Sequence, residues 1–407
     1  MSKSIVLYMH VHQPWRVRHY SAFDTAVDHN YWYESLSHSG ADNERILRKV
    51  AHKSYLPTNA VLLDMLNRHP EFKLSLSITG TFLEQAEQFM PELINSFKSL
   101  VDTGRVEIVG ETYYHSLAFF YSRAEFERQV SLHAQRIEEI FGVKPTAFRN
   151  TELAYNNDLG QWADANGYKA VIAEGWDPVL GWRSPNYVYQ PSGTKNVSLL
   201  LKNYKLSDDM AFRFSDRNWK EWPLDMDKYG KWLDAEPGSP LVNLFVDYET
   251  FGEHQWEDTG IFNFLRQMPH EWLSKPDHTF MTISEAAQSY EPKDYVDMPH
   301  TVTWADTERD LSAWLGNRMQ QESQYYIYSI ESDIMATGDT NLIGDWRRLT
   351  TSDHPYYMST KYWNDGDVHA YFSPYSSPYD AFLYYMNAVR DVRYRLMQHQ
   401  RNSLQRG

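Results

Sequence analysis

Two kinds of hydrophobic pattern succeed one another along the chain. Short runs in which nearly every position is apolar, such as Leu241 to Val246, read as buried strands. Longer stretches with apolar residues three and four apart, such as Val61, Leu62, Met65 and Leu66, read as helices with one buried face. Strand character is expected at Ser4 to Met9, Phe72 to Ile78, Val106 to Val109, Thr146 to Arg149, Lys169 to Ala173, Leu241 to Val246 and Phe280 to Ile283. Helices are expected over Asn43 to His69, Thr81 to Val101, Arg123 to Phe141 and Asn157 to Asn166, with another starting at Ser284-Glu285. Strands alternating with helices imply crossover connections and a parallel sheet.

The regularity weakens between Pro178 and Pro240, which reads as an irregular excursion (178–240) forming a wall of a site. Tyr290 to Met298, rich in Pro and Asp, reads as a linker, and the patterns at Thr307 to Thr337 and Tyr379 to Gln400 are helical. The expected division is an α/β catalytic domain over residues 1–295 and a helical domain over 296–407.

Chemistry gathers where the apolar runs end. Strands at Val6, Val106, Phe148, Val171 and Phe245 each run directly into segments rich in His, Glu, Asp, Trp and Tyr, the layout of a barrel or barrel-like sheet. Leu241 to Val246 is followed within eight positions by Asp247, Glu249, Glu253 and His254. The first strand leads into His10-Val11-His12-Gln13-Pro14-Trp15, and residues two apart in a strand share a face, so His10 and His12 point the same way. Glu152 and Asp247, at the ends of separate strands, fit paired-carboxylate hydrolysis of a glycosidic bond, in which one acid protonates the leaving oxygen and the other attacks or activates water. His10, His12, His115 and Asp247 also fit the ligand layout of a metal-dependent barrel hydrolase such as a deacetylase. A glucan-binding protein with an inactive site is a third reading.

Five stretches sharpen the choice: His12-Gln13-Pro14, Gly110-Glu111-Thr112-Tyr113-Tyr114-His115, Thr151-Glu152-Leu153-Ala154-Tyr155, Asp247-Tyr248-Glu249-Thr250-Phe251-Gly252 and Asp310-Leu311-Ser312-Ala313-Trp314. In order and content they resemble the five sequence regions of glycoside hydrolase family 57, and within it the compact α-amylase-like members. The resemblance implies an incomplete seven-stranded (β/α) barrel followed by a C-terminal helical domain closing the cleft. It implies retaining cleavage of α-1,4-glucosidic bonds in an α-glucan or maltooligosaccharide without a metal or other cofactor; 4-α-glucanotransferase or branching activity would use the same pair. By position, Glu152 would be the nucleophile and Asp247 the general acid and base, its pKa raised by burial or by a neighbouring anion such as Glu249. His10, His12, Gln13 and His115 would grip the transferred sugar. Asp310 and Trp314 would reach over the cleft, Trp314 offering a ring face or serving as core, with Trp176 and Trp222 as weaker platforms. Glu111 reads as an acid supporting the site or a helix cap, and Asp208 and Asp209 as members of a solvated loop.

Composition narrows partners and compartment. A formal net charge of -15 argues against a nucleic-acid partner. With no cysteine, thiolate metal sites and cysteine nucleophiles are excluded. No stretch approaches the roughly 20 apolar residues of a membrane span, and Met1 to His10 has too short an apolar core for a secretory signal, so no membrane partner and a cytoplasmic location are expected. The 14 Trp and 29 Tyr suit sugar-binding faces as well as core and interfaces, and oligomeric state is not legible.

Overall fold

The fold opens on β1 (Lys3–Val11), all nine residues of which are buried because strands lie on both sides of it. The computed structural model describes residues 3–34, 40–236, 238–361 and 371–405. After β1 come β2 (Leu74–Ile78), β3 (Val106–Ile108), β4 (Ala147–Arg149), β5 (Ala170–Glu174), β6 (Val188–Pro191), β7 (Ser198–Lys202), β8 (Leu241–Asp247), β9 (His278–Phe280) and β10 (Tyr295–Val296). They form two five-stranded sheets, one ordered β3-β2-β1-β8 with β9 also on β1, the other β10-β6-β7-β5-β4. Every strand pairing is parallel except β6 with β7.

The sheets join where Gly110, just past β3, donates to Ala147 O (2.9 Å) and accepts from Arg149 N (2.8 Å). Between β7 and β8 the link is looser: Asn203 N donates to Asn243 O and Asn243 Nδ2 to Leu201 O, both at 2.9 Å, without a strand ladder. Seven parallel strands, β8-β1-β2-β3-β4-β5-β7, thus follow one another in an incomplete barrel. Val6 and Tyr8 of β1, Ala147 of β4, Ala170 and Ile172 of β5, Leu200 of β7 and Leu241 and Phe245 of β8 share one buried cluster. Those positions alternate along β1, β5 and β8, so the next positions on the same faces, His10 and Asp247, stand at the carboxyl ends above that core.

Two expectations are corrected. Residues 178–240 hold β6, β7 and the helices Tyr204–Ala211 and Met226–Asp234, so the stretch read as irregular contributes a barrel strand, Ser-Leu-Leu-Leu-Lys, fully buried. Near Phe280 the strand comes earlier, at His278–Phe280, because Thr282 and Glu285 form a reciprocal capping box that commits Ile283–Ser289 to helix.

The chain divides into two compact units, each discontinuous in sequence: Met1–His12, Arg48–Glu111 and Leu132–Trp304 form one, and Gln13–Leu47, Thr112–Ser131 and Ala305–Gly407 the other. The first holds all the strands among the described residues. The second is helical, with Ser312–Leu315, Arg318–Ser329, Glu331–Thr337, Thr340–Leu349 and Pro378–Leu404, and takes in the N-terminal segment that the sequence pattern leaves outside it. In that unit the buried Asp391 carboxylate accepts from Ala26 N and pairs with His29 Nδ1, both at 2.7 Å, and also accepts from the Tyr31 hydroxyl. These bonds tie the early segment to the last helix.

Candidate active site

Asp247 is the last residue of β8 and lies in register with His10 of β1. The turn after it, Tyr248–Thr250, leads to Gly252 at φ +104°, where an added Cβ would stand 1.9 Å from the Lys53 carbonyl oxygen. Only glycine fits there, which explains the sixth position of Asp-Tyr-Glu-Thr-Phe-Gly. Glu152 sits in a single turn after β4, with φ +59° and ψ +27°. A left-handed backbone is uncommon for a residue bearing a side chain and is tolerated where the surroundings dictate it. Here Leu153 N donates to Asn150 O (3.0 Å) and Asn150 Nδ2 to Ala154 O (2.9 Å), closing the turn.

A run of side chains connects the two acids. His10 Nδ1 lies 3.7 Å from Asp247 Oδ1, and His10 Nε2 lies 3.2 Å from both Glu111 Oε2 and Arg149 Nη1. The Arg149 guanidinium, fully buried and 3.6 Å from Glu111, stands 5.2 Å from the centre of the Trp304 ring. The Trp304 indole donates to Glu152 Oε2 at 2.8 Å. Lys202, at the end of β7, lies 5.4 Å from the same ring, donates to Asp208 Oδ1 at 3.1 Å and faces Glu174 at 3.9 Å. Glu111 is therefore a buried anion that holds His10 and Arg149. Asp208 is corrected from solvated loop to a helical residue paired with Lys202, and Asp209 to one paired with Arg213 at 2.5 Å. A buried ion pair such as Arg149–Glu111 contributes little net stability but fixes geometry.

The proton distribution departs from expectation. Burial pushes the Asp247 carboxyl up, but the hydrogen bond and charge of His10, with His254 and Arg149, outweigh it and hold the group below the usual carboxylate range. Glu249, two residues on, is the acid that rises: burial first, then the charge of Asp247, pushes it to about 8, against hydrogen bonds from Tyr55 and backbone amides. The anion expected to lift Asp247 thus carries the proton itself.

This gives a test independent of function. Unfolded Glu249 ionises near 4.5 and folded Glu249 near 8, so the stability its protonated form contributes is complete below pH 4.5 and is lost as pH rises through 8. Glu249→Gln, an uncharged mimic of the protonated acid, is expected to melt about 2–4 °C further above the wild type at pH 8.5 than at pH 5. Parallel melting curves at the two pH values would show that Glu249 is not the proton holder.

The other expected site residues fall as follows. His12 donates to or accepts from Thr79 Oγ1 at 3.0 Å, and Trp176 is half-buried just past β5, in the same unit as the acids. Trp222 is largely exposed there. Gln13, His115, Asp310 and Trp314 belong to the helical unit. Gln13 accepts from Arg16 Nη2 at 3.0 Å, His115 is buried with φ +50°, and Asp310 is exposed and accepts from Ser312 N at 2.8 Å. Trp314 is corrected: at 1% exposure, packed with Leu117 and Ala313, its ring is core and presents no open face for a sugar. Sequence reasoning missed Arg149, Lys202 and Trp304. The two cations had a signal, since each ends an otherwise apolar strand; Trp304 had none.

Of the expected metal ligands, His10 is poorly placed on its Nε2 side. A cation at His10 Nε2 would meet the fixed positive charge of Arg149 3.2 Å from the same nitrogen.

A parallel barrel-like sheet whose strand ends collect acids, a histidine and an indole has the layout of an α/β enzyme. Residues 6–299 match the model of glycosyl hydrolase family 57. The Methanocaldococcus jannaschii protein named "Putative alpha-amylase" is 44% identical over 86% of this chain and 77% of its own length. The Pyrococcus abyssi protein named alpha-amylase is 22% identical over 66% of this chain, which spans 40% of it. Among solved structures, the family 57-type branching enzyme of Pyrococcus horikoshii superposes with a TM-score of 0.65 at 15% identity, over 90% of this chain and 87% of that one, a likeness of fold. The chain belongs to glycosyl hydrolase family 57, as its five motifs led us to expect, and is a glycoside hydrolase. Among the described residues no helix is long and apolar enough to cross a membrane.

Proposed function

We propose that the chain hydrolyses α-1,4-glucosidic bonds of an α-glucan or maltooligosaccharide with retention, Glu152 acting as nucleophile and Asp247 as general acid and then base. The observation that carries this reading is the run Asp247–His10–Arg149–Trp304–Glu152, which binds two acids from distant parts of the sequence into one hydrogen-bonded and charged cluster. The Glu152 carboxylate attacks the anomeric carbon as the glycosidic bond breaks and Asp247 gives its proton to the departing oxygen; Asp247 then takes a proton from a water that attacks the anomeric carbon, which breaks the ester bond to Glu152 and releases the sugar. Retention requires the two carboxyl groups about 5–5.5 Å apart. We assign His10 and His12 to the sugar being transferred, with Trp176 as a further contact.

Resting Asp247 has to gain a proton before it can act. Its side chain is 36% exposed, so a bound sugar removes water from it and strengthens burial, the influence already pushing it up. Relatives named 4-alpha-glucanotransferase, such as that of Thermococcus litoralis, make transfer to a second sugar the rival outcome. Chromatography of products from a single maltooligosaccharide decides between them. Only shorter products, first released as the α anomer, are expected; longer products would replace hydrolysis by transfer, and the β anomer would overturn retention.

A further inference from the structure

Residues 298–304 run antiparallel to 152–157 and end on the proposed nucleophile. Asn157 N donates to Met298 O (2.9 Å), Met298 N to Asn157 Oδ1 (2.8 Å), and Tyr155 and Val302 exchange both backbone bonds at 2.9 Å. At the end of this strap Trp304 meets Glu152 twice: its backbone N–H donates to Glu152 O at 3.3 Å and its indole N–H to Glu152 Oε2 at 2.8 Å. One residue thus holds both the left-handed backbone and the carboxylate of Glu152. Two cations, Arg149 and Lys202, lie 5.2 and 5.4 Å from the centre of the same ring, and His10 meets it edge to face with ring centres 6.5 Å apart. Cations drawn to an indole ring polarise it and make its N–H a stronger donor.

From this we infer that Trp304 is a positioning residue for the nucleophile: it anchors Oε2 of Glu152, so that Oε1 is the oxygen that attacks, and it favours the ionised carboxylate. The inference rests on the assignment of Glu152 as nucleophile. A carboxylate held at one oxygen by a fixed donor loses less freedom on reaching the transition state, and the donor opposes its protonation. Its effect should therefore fall on formation of the glycosyl-enzyme and on the acid limb of the pH profile, with little on affinity.

The test uses the full chain and a 5-fluoroglycosyl fluoride of the α series, extended at O4 by one glucose, which traps the glycosyl-enzyme. In the wild type, peptide mass mapping should find the sugar on Glu152; a label on another residue, or none, overturns the nucleophile assignment and this inference together. In Trp304→Phe, labelling of Glu152 should slow about 10- to 100-fold, with inactivator affinity within about threefold of wild type. Its acid limb should move up by about one pH unit, because a lost donor makes the carboxylate easier to protonate. Wild-type labelling rate with an unmoved acid limb leaves Glu152 as nucleophile and overturns the role given to Trp304. Should Trp304→Phe fail to melt cooperatively, the crystal structure of the trapped wild-type enzyme decides. Sugar on Oε1 with the indole about 3 Å from Oε2 supports the inference; sugar on Oε2 overturns it.

Discussion

Glu152→Gly is expected to lower turnover of maltooligosaccharides about 10⁴-fold or more while leaving the protein folded. The loss follows from chemistry: without the carboxylate no glycosyl-enzyme forms, and water in its place is neither charged nor positioned. The retained fold follows from backbone geometry. Glu152 has φ +59°, a conformation glycine adopts at no cost, so the substitution relieves the strain that alanine would keep. Glycine also opens room for a small anion. With an α-glycosyl fluoride and added azide the variant is expected to make the β-glycosyl azide, because a single displacement inverts the anomeric carbon. Melting curves check the fold, and the anomeric coupling constant in the proton spectrum checks the product. Near-normal turnover, or an azide product of α configuration, would remove Glu152 from the role of nucleophile.

What could be read in the sequence follows from how locally each feature is determined. β1, β4, β5 and β8 are legible because strands covered on both sides are mostly apolar, β2 because Leu-Ser-Leu-Ser-Ile alternates, and Leu-Val-Asn-Leu-Phe-Val-Asp states both the strand and its reactive end. The motif acids are legible because the turns that carry them demand special residues, as Gly252 does against the Lys53 carbonyl. β7 was missed although Ser-Leu-Leu-Leu-Lys is as apolar as its neighbours, since it is surrounded by Pro, Asn and Asp that argue for loop. Trp304 was out of reach for another reason. It owes its place to pairing with residues about 150 positions earlier, and such a partner leaves no periodic trace.

Burial misled in two cases. Trp314 lies in a motif and carries a ring suited to sugars, yet the core of the helical unit takes it, as helical spacing alone allows. The Asp247 pKa was expected to rise because burial and a neighbouring anion were the visible influences; the opposing groups, His10, Arg149 and His254, come from β1, β4 and the turn after β8, and only the fold brings them together. Residues Gln13–Leu47 show the same limit, since their Trp15, Tyr20, Tyr31 and Trp32 are buried through partners near the other end of the sequence.

Asp247→Ala is the second large effect, with an expected loss of about 10²–10⁴-fold on maltooligosaccharides. The loss should nearly vanish from the first step with an α-glycosyl fluoride, whose fluoride departs without a proton, so that the glycosyl-enzyme forms and accumulates. Azide, needing no base, should then speed its breakdown and give the α-glycosyl azide, the product of two inversions and opposite to that of Glu152→Gly. The pH profile carries the electrostatic part of the prediction. Asp247 must be protonated to act, and in the resting enzyme burial is outweighed by His10, His254 and Arg149, which hold it low. The descending limb of kcat/KM, which reports the free enzyme, should therefore lie at lower pH than that of kcat, which reports the carboxyl covered by sugar. Removing the His10 interaction that lowers Asp247 acts in the same sense: His10→Asn should shift the descending limb of kcat/KM upward. Equal losses on fluoride and oligosaccharide substrates, or a descending limb of kcat/KM above that of kcat, would take the acid role away from Asp247.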